Sequence, residues 1–529
     1  MPRARGPDYC THMSRKLQFT LDFREDLDDF LSTNHPEVVD YRISSESLDA
    51  RKANLGRSPK IHYNLTVVHQ GETFEKEVND FPNLGPLPQN PLIIGAGPAG
   101  LFAALRFLEY GIPTTIIERG ERAHKRMIHI SKYWRKGQLD GDNNVCFGEG
   151  GAGLFSDGKL ITRIKSTFVQ YVMDLFVDFG APPETAWVSN PHLGSNKIRQ
   201  LIGKMTEKLL KNGHTIHYNS RVEELLFSDD KKKVIGVLLN NGDKILSDHV
   251  ILATGHSSRE VYENLKVNEV AMKPKDFAVG VRIEHPRELI DSIQHGDFAG
   301  KELGAARYRL SWEDSETLKG SYSFCMCPGG YVLSSGTDRD GIVVNGMSNY
   351  ARNSRWSNAA LVVSVAAGTD FETDDVLGGL EFQHSIENKA YEYSRQHASG
   401  REVPAQRVSD FLAGKKSVDL PKTSCPSGLV ASDLREILPP FVVGHLEKAL
   451  KVFDQRMAGF VSENALLLAP ETRTSAPVTI IRDKQSLLST SHVGLYPCGE
   501  GAGYAGGITS AAVDGIKVAE SIISQSFVR

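Results

Sequence analysis

A glycine turn between an apolar strand and a helix constrains this 529-residue chain more than any other feature. The turn reads Gly-Ala-Gly-Pro-Ala-Gly over residues 95–100, and it follows a short apolar run at 92–94. An amphipathic helical pattern continues to Gly111, after which a β-branched run ends at Glu118. Strand, tight turn, helix and strand in this order are typical of the βαβ unit that binds a dinucleotide. Because every flanking element agrees with it, we favour this interpretation over a glycine turn of purely structural use.

Each glycine of the turn has its own physical reason in such a unit. Gly95 allows the tight turn, Gly97 leaves room for a pyrophosphate to approach the backbone, and Gly100 lets helix and strand pack closely. The free N–H groups at the helix N-terminus attract the phosphates. Glu118, at the end of the second strand, is placed to accept hydrogen bonds from a ribose.

Size and composition narrow the class of protein. A chain of 529 residues is long enough for two or three domains, and 40% hydrophobic with 24% charged residues is typical of globular proteins. The net charge of −4 provides no basic surface for nucleic acid or lipid, so we expect neither as a partner. Six cysteines are few for this length, which favours a reducing cytoplasm over a secreted, disulfide-stabilised protein.

Changes in composition and turn density divide the chain into five segments. We interpret them as a disordered leader (residues 1–14), a small α+β module (15–80), the first part of a dinucleotide-binding domain (81–264), an inserted α+β substrate domain (265–470) and the last part of the binding domain (471–529). Together they predict an α/β fold, with a three-layer Rossmann-type domain that has a parallel sheet and an antiparallel side sheet.

Local periodicity predicts elements within two of these segments. In the module, we expect strands at 16–23 and 61–69, with a helix at 45–55 between them. In the inserted segment, helical patterns occur at 358–365, 380–395 and 442–450.

A second glycine-rich segment, residues 147–159, has five glycines between positions 148 and 158. Such a sequence cannot form a stable helix or strand interior, but its backbone can lie against a planar ligand and point N–H groups at anions. A flexible surface loop is the alternative. We favour a ligand-binding loop because Phe147, Leu154 and Phe155 are embedded in it.

The last sixty residues repeat the order of strand, glycine turn and helix seen at the first turn. A short strand pattern ends at Gly499-Glu500, a glycine turn covers 501–507, and a long helical pattern runs over 508–523. The first turn of this helix again offers free backbone N–H groups.

Three separated motifs, GAGPAG at 95–100, LATG at 252–255 and CGEGAGYAGG at 498–507, occur together in the FAD-binding domain of the glutathione-reductase-like flavoproteins. More closely, the chain resembles a bacterial family of FAD-dependent dehydrogenases of uncharacterised function, and it is distantly similar to the fumarate-reductase and HI-type flavoproteins. Blocks similar to that family lie at 147–160, 323–330, 345–354, 358–365 and 471–478. The likeness runs from about residue 90 to the end.

This resemblance implies FAD as the cofactor and no metal. It implies that FAD contacts Gly95, Gly97, Pro98, Ala99, Gly100, Glu118, Arg119, Arg126, Gly150, Gly151, Gly153, Val222, Thr254, Gly255, Glu500, Gly507 and Ile508. Arg126 would follow the adenosine or the phosphates. Glu500 stands where related flavoproteins have Asp, so its contact would be shifted by one methylene. The N-terminus of the last helix would stabilise the negative charge of a reduced flavin.

Candidate catalytic residues lie where the inserted segment begins and ends. In the strand pattern FAVGVRIEHP, Arg282 and Glu284 share a face and could form an acid–base pair or an anion clamp, with His285 beside them. A solvated strand edge is the alternative. Arg473 follows the inserted segment, where it could face the flavin or form a structural ion pair.

Cys325 and Cys327 form a Cys-x-Cys pair with two interpretations. A dithiol could relay electrons to the flavin, and its strained disulfide would be oxidising. The alternative is a pair of small buried thiols beside a Pro-Gly-Gly turn. Metal binding is less favoured, because the sequence has no second cysteine pair with ligand spacing.

The sequence therefore predicts a FAD-dependent oxidoreductase that exchanges a hydride with a small organic, anionic substrate. Arg282 and Arg473 would give the substrate pocket its preference for anions. One glycine fingerprint argues against a dedicated NAD(P)H domain, so we expect slow reduction by NADH or NADPH alone. The alternative is a FAD-stabilised scaffold, or a flavoprotein associated with RNA modification, without dehydrogenase turnover of its own.

Overall fold

The structure is a computed structural model that describes residues 15–74, 81–300 and 303–527. The leader predicted at 1–14 lies outside the described residues. Within them, no helix is long and apolar enough to cross a membrane.

The N-terminal module is a three-stranded antiparallel sheet with one helix. Its elements are β1 (Arg15–Asp22), α1 (Leu27–Asn34), β2 (Val38–Asp49) and β3 (Lys60–His69), and the strand order is β1-β3-β2. The helix predicted at 45–55 is wrong. Residues up to Asp49 continue β2, because Glu46 and Leu48 pair in register with Tyr63 and Ile61 of β3, and one short 3₁₀ turn follows at Ala53–Leu55.

The second unit has a five-stranded parallel sheet covered by helices. Its first part contains β4 (Leu92–Ile94), α2 (Pro98–Glu109), β5 (Thr115–Ile117), α3 (Ala123–Lys136), α4 (Phe168–Asp178), α5 (Gly194–Lys211), β6 (Thr215–His217), β7 (Val222–Phe227), β8 (Val234–Leu239), β9 (Lys244–Leu246), β10 (Val250–Leu252) and α6 (Arg259–Val267). Strands β7, β8 and β9 form the antiparallel side sheet that the sequence predicts.

The third unit is built on a seven-stranded mixed sheet. Its region of the chain contains β11 (Met272–Pro274), β12 (Phe277–Pro286), α7 (Arg287–His295), β13 (Ser311–Glu313), β14 (Gly320–Cys327), β15 (Tyr331–Ser334), β16 (Val344–Met347), β17 (Trp356–Val365), α8 (Gly378–His397), β18 (Val403–Arg407), α9 (Val408–Leu412), β19 (Leu429–Ala431), α10 (Pro440–Arg456) and β20 (Leu466–Glu471). The strand order is β13-β14-β17-β12-β20-β18-β19.

The helix predicted at 358–365 is wrong, because these residues form β17. This strand lies between β14 and β12 and is buried along most of its length, so its apolar run shows no alternation that would mark a strand. The helices predicted at 380–395 and 442–450 are confirmed as parts of α8 and α10.

The chain then returns to the second unit with β21 (Val478–Ile480), β22 (Leu495–Pro497) and α11 (Ile508–Phe527). The parallel sheet has the order β22-β10-β4-β5-β6, which confirms the predicted α/β fold class with a parallel sheet. Because β4, β10 and β22 are adjacent and parallel, the glycine turns after them meet at one edge of the sheet. A Cβ on Gly95 would lie 2.5 Å from the carbonyl oxygen of Ala253, and one on Gly501 would collide with the backbone of Gly255.

Candidate cofactor and substrate site

A cavity of about 1190 Å³ lies at the edge of the parallel sheet where the glycine turns meet. Its lining comes from the parallel-sheet unit, from the seven-stranded unit and from β2 of the N-terminal module. Ligand pockets in proteins usually measure roughly 300–1,000 Å³. The cavity therefore has room for more than one small molecule.

Most of the predicted cofactor residues line this cavity. They are Gly95, Gly97, Pro98, Ala99, Glu118, Arg119, Gly151, Gly153, Val222, Thr254, Gly255, Glu500, Gly507 and Ile508. A Cβ on Gly151 would lie 3.3 Å from the Cα of Gly97, so two backbone segments approach each other without side chains between them. Such bare backbone lets a planar or phosphorylated ligand approach closely, and the residues present fit a dinucleotide.

Glu118 joins the two glycine loops through its carboxylate. Its Oε2 accepts a hydrogen bond from the N–H of Ala96 at 2.9 Å, and Oε1 accepts from Gly120 at 3.0 Å and Gly148 at 2.9 Å. The side chain lines the cavity although the residue is only 5% exposed. Glu118 thus fixes the loops and also faces the place predicted for the ribose.

Arg126 and two predicted glycines lie behind the cavity wall rather than on it. The buried guanidinium of Arg126 donates to the carbonyls of Glu149 at 2.8 Å and Gly151 at 2.9 Å, and to three others in the same loop. Burial lowers the pKa of Arg126 to about 10, which leaves it charged near neutral pH. The structure therefore places Arg126 as a support of the glycine loop. Gly150 bonds to the backbone of the first turn, and Gly100 provides the close helix–strand packing.

Glu500 lines the cavity and is partly buried. Burial raises the pKa of its carboxyl to about 7, although Lys275 acts in the opposite direction. The Nε2 of His256 lies 3.6 Å from this carboxylate, and burial lowers the pKa of His256 to about 4. The site thus holds a neutral imidazole beside a carboxyl group that titrates near neutral pH.

Arg282, Glu284 and His285 all lie outside the cavity lining. Arg282 is fully buried, and its Nε donates to Glu471 at 2.8 Å while Nη1 donates to Asn358 at 2.9 Å. The Glu284 carboxylate accepts from Thr423 at 2.6 Å and from the backbone N–H of Ser424 at 3.2 Å. His285 Nε2 lies 2.8 Å from the carbonyl oxygen of Phe460, and burial lowers the pKa of His285 to about 4.

The interpretation of Arg282 and Glu284 as an anion clamp or acid–base pair does not fit this arrangement. The two side chains bind different partners, and neither belongs to the cavity lining. The alternative of a solvated strand edge does not fit either, because β12 is an internal strand of the sheet.

Arg473 does line the cavity, but carboxylates neutralise it. Its Nη2 lies 2.8 Å from Glu387 Oε2 and 3.0 Å from Asp338 Oδ2, and its Nη1 donates to Thr337 at 2.6 Å. The structure therefore shows the ion pair that the sequence left as an alternative for this residue.

Cys325 lines the cavity, whereas Cys327 is buried behind it. Cys325 has a φ of +44°, a left-handed conformation that is strained for a residue with a Cβ. Both thiols are free, and the thiol of Cys327 donates to the carbonyl of Cys325 at 3.3 Å. A hydrogen bond with Cys327 holds the pKa of Cys325 below its usual range, and nearby Lys159 and Arg282 act in the same direction.

Sequence reasoning missed a group of cations on the cavity wall. Arg352 forms a buried ion pair with Asp157, and Lys159 Nζ lies 3.9 Å from the same carboxylate. Arg307 donates to the carbonyl of Asn190 at 3.4 Å and has no carboxylate within ion-pair distance among the described residues. The pKa of Arg307 falls to about 10, first through desolvation and then through Arg352, so it stays charged.

Two aromatic rings line the cavity close to these cations. His192 stacks on Tyr350 with 5.4 Å between ring centroids, and desolvation followed by Arg352 lowers the pKa of His192 to about 4. Lys159 and Arg352 lie in the family-like blocks at 147–160 and 345–354, so the cations of those blocks are the sequence signal that could have identified them. Arg307 carried no sequence signal.

Two family models match the chain. "Pyridine nucleotide-disulphide oxidoreductase" matches residues 90–270, and "FAD-dependent protein, C-terminal domain-like" matches residues 276–474. The fold, the glycine turns and these matches define the class of protein as FAD-dependent oxidoreductases, with FAD as the cofactor.

An uncharacterized protein of Clostridium beijerinckii is 39% identical in an alignment of 513 residues, and the match covers 94% of this chain and 94% of the relative. The chain belongs to the same family of FAD-dependent proteins as this relative. Protein FixC of Escherichia coli K12 is 30% identical over 204 residues, or 38% of this chain and 44% of FixC. The narrower likeness to glutathione-reductase-like and HI-type proteins stays a prediction.

Two solved structures that match most of this chain resemble it distantly. A probable FAD-dependent monooxygenase from Pseudomonas aeruginosa matches 83% of this chain and 88% of its own, with 11% identity and a TM-score of 0.34. A geranylgeranyl bacteriochlorophyll reductase-like protein from Thermoplasma acidophilum matches 84% and 80%, with 12% identity and a TM-score of 0.34. At these scores the reaction of neither protein is carried over to this chain.

Proposed function

We propose that this protein is a FAD-dependent oxidoreductase that exchanges a hydride between its flavin and a small organic anion. One observation carries the proposal: a cluster of cations lines the same cavity as the glycine turns. A cofactor site and a charged substrate site in one cavity are what direct hydride exchange requires.

Residues on the glycine side would hold the cofactor. Gly95 and Gly97 keep the backbone free for the pyrophosphate, Glu118 would accept hydrogen bonds from a ribose, and the N-terminus of α11 would face the flavin. When bound, FAD supplies a ring system that accepts or donates two electrons as a hydride. The positive end of α11 favours negative charge at that position.

Cations that line the same cavity would hold the substrate anion. Among the described residues, Asp157 is the carboxylate within ion-pair distance of Lys159 and Arg352, and Arg307 has none. Because Arg307 has a planar guanidinium that no carboxylate occupies among the described residues, it is suited to bind a carboxylate through two parallel hydrogen bonds. This group replaces Arg282 and Arg473 as the basis for anion preference.

His192 is a candidate for holding or accepting a proton near that anion. Its Nδ1 is buried and has no hydrogen-bond partner in the described part of the chain. With a pKa near 4, the imidazole is neutral at physiological pH, so one ring nitrogen carries a proton and the other has a free lone pair.

Anaerobic stopped-flow absorbance of the FAD-loaded protein tests this function. We expect slow loss of the oxidised flavin band with NADH or NADPH, and faster loss with at least one member of a panel of organic acids. For that acid, Arg307→Leu should raise KM roughly 10- to 100-fold, since a charge-assisted hydrogen-bond pair is lost. Arg57→Leu, an exposed arginine outside the cavity lining, is the control.

Complete reduction by micromolar NADPH within the first second would contradict the proposed substrate class and make a nicotinamide nucleotide the electron donor. A flavin that no member of the panel reduces would favour the scaffold alternative.

A further inference from the structure

The N-terminal module contributes directly to the wall of the cavity. Glu46, Ser47 and Leu48 of β2, together with Ala50 and Arg51, belong to the lining. The role of a small module beside a complete dinucleotide fold is otherwise unexplained. Its position at the cavity indicates that the module takes part in binding the ligand.

Backbone hydrogen bonds fix β2 against the parallel-sheet unit. The N–H of Glu46 donates to the carbonyl of Trp187 at 3.0 Å, and the N–H of Ser189 donates to the carbonyl of Glu46 at 2.8 Å. Trp187 also packs into the core of the module beside Leu65 and Val67. Residues 187–189 therefore pair with the outer edge of β2. Two of them, Val188 and Ser189, also line the cavity.

The module also contacts the third unit. Phe23 meets Phe298 edge to face with 6.0 Å between ring centroids. Gly296 packs so closely on the Ala53–Leu55 turn that a Cβ there would lie 2.8 Å from the Cα of Asn54. The module thus bridges both larger units, and the position of Leu48 in the cavity is set from two sides.

Three large apolar side chains that are exposed in the protein line this same cavity. Leu48 of the module is 48% exposed, Ile161 of the parallel-sheet unit 46%, and Phe324 of the seven-stranded unit 36%. Exposed apolar side chains that gather at one concave site mark a binding surface, because a ligand can remove them from water. Each structural unit contributes one of them.

We propose that the N-terminal module forms a part of the cavity wall that selects the substrate. We further propose that this substrate is an organic anion with an apolar chain of several carbons. The charged end would contact Arg307 and Lys159, and the apolar part would contact Leu48, Ile161 and Phe324. A cavity lined both by cations and by exposed apolar side chains fits an amphipathic molecule better than a small polar acid. This substrate class rests on the proposed function, which places the anion in this cavity.

Ligand binding to the FAD-loaded full chain tests the inference without turnover. Octanoate, acetate and octanol are titrated by calorimetry and by difference absorbance of the flavin. We expect octanoate to bind at least tenfold more tightly than acetate, which lacks the chain, and than octanol, which lacks the charge. Leu48→Ser should weaken octanoate binding roughly tenfold and leave acetate binding unchanged.

Leu55→Ser is the matched control. Leu55 lies in the same module and is 73% exposed, but it does not belong to the cavity lining, so its variant should bind octanoate like the unmodified protein. Equal FAD content and equal melting temperatures of the two variants show that Leu48→Ser is folded.

Octanoate binding that is no tighter than acetate binding, or that Leu48→Ser leaves unchanged, overturns the inference. Failure of the proposed function gives a different result, in which octanoate still binds with the expected preference but no organic acid reduces the flavin.

Discussion

The arginines in and near the cavity fall into two groups: those that a carboxylate neutralises and those that none neutralises among the described residues. Arg282 contacts Glu471, and Arg473 contacts Glu387, so most of their donors are occupied within the protein. Arg307 lines the cavity, and within the described ranges its guanidinium makes one long hydrogen bond, to a backbone carbonyl. A guanidinium with occupied donors offers a ligand little, whereas one with free donors can bind a carboxylate in a bidentate way. This difference is why we propose Arg307 as the residue that would bind the anion.

At the residue scale, Glu500→Gln should change how the stability of the FAD-free protein depends on pH. Burial raises the pKa of Glu500 from 4.5 to about 7. Between these values the folded state holds a proton that the unfolded chain has released, so this group's contribution to the free energy of unfolding falls as pH rises. Relative to the unmodified protein, the Gln variant should gain about 1–3 kcal/mol from pH ~4.5 to pH ~8.

Denaturant unfolding at several pH values measures this difference. Glu313→Gln, which replaces an exposed carboxylate at the edge of the large sheet, should show a difference from the unmodified protein that stays nearly constant with pH. If the Glu500→Gln difference is equally flat, the carboxyl of Glu500 is not desolvated as described.

At the element scale, β12 explains why a charged sequence can be a core strand. The residues from Phe277 to His285 are all buried, and β17 and β20 flank the strand on both edges. Each charged group of the strand has partners on neighbouring segments: Glu471 of β20 for Arg282, and Thr423 and Ser424 for Glu284. Buried charges persist only with such partners.

Arg282→Met should therefore destabilise the protein by about 3–5 kcal/mol, because it leaves Glu471 charged and unpaired in the sheet. The double variant Arg282→Met/Glu471→Met should be clearly more stable than the single one, since no charge is left without a partner. Chemical denaturation of both variants gives the comparison. A single variant of normal stability that no longer binds octanoate would restore Arg282 as a residue of the substrate site.

At the scale of the whole molecule, three units line one cavity, and the smallest unit contacts both of the others. The module meets the parallel-sheet unit through Glu46 and the third unit through the contact of Asn54 with Gly296. Gly296 has a φ of +54° and no space for a side chain. Docking of the module therefore depends on a glycine far from the dinucleotide fingerprint.

Gly296→Ala should loosen the module, because the new Cβ would displace the backbone of Asn54. We expect limited proteolysis between the module and the parallel-sheet unit to be several-fold faster, with FAD still bound. Gly56→Ala is the control, since Gly56 also has a left-handed φ of +72° but has nothing within 4 Å of a new Cβ. Gly56→Ala incurs about 1 kcal/mol of backbone strain in the left-handed helical region, and Gly296→Ala incurs more, because its ψ of −126° lies outside that region. Equal cleavage rates would therefore show that neither the backbone nor the contact at Gly296 holds the module.

The sequence by itself determined the cofactor-binding unit. The apolar run at 92–94, the glycines of 95–100, the helical period and the terminal Glu118 lie next to one another in the chain, and each is a local signal. Local signals depend on the backbone conformations that a few neighbouring residues can adopt, so they can be read without the fold. The fold class and FAD followed from them and from the resemblance they supported.

Only the tertiary structure decided the substrate side. The partner of Arg282 is separated from it by 189 positions, and the cavity gathers Leu48, Ile161 and Phe324 from three units. The strand at 356–365 looked helical because a buried central strand has no polar face to reveal its period. Which charges are neutralised and which apolar groups stay exposed depends on contacts between distant segments, and no local pattern records those contacts.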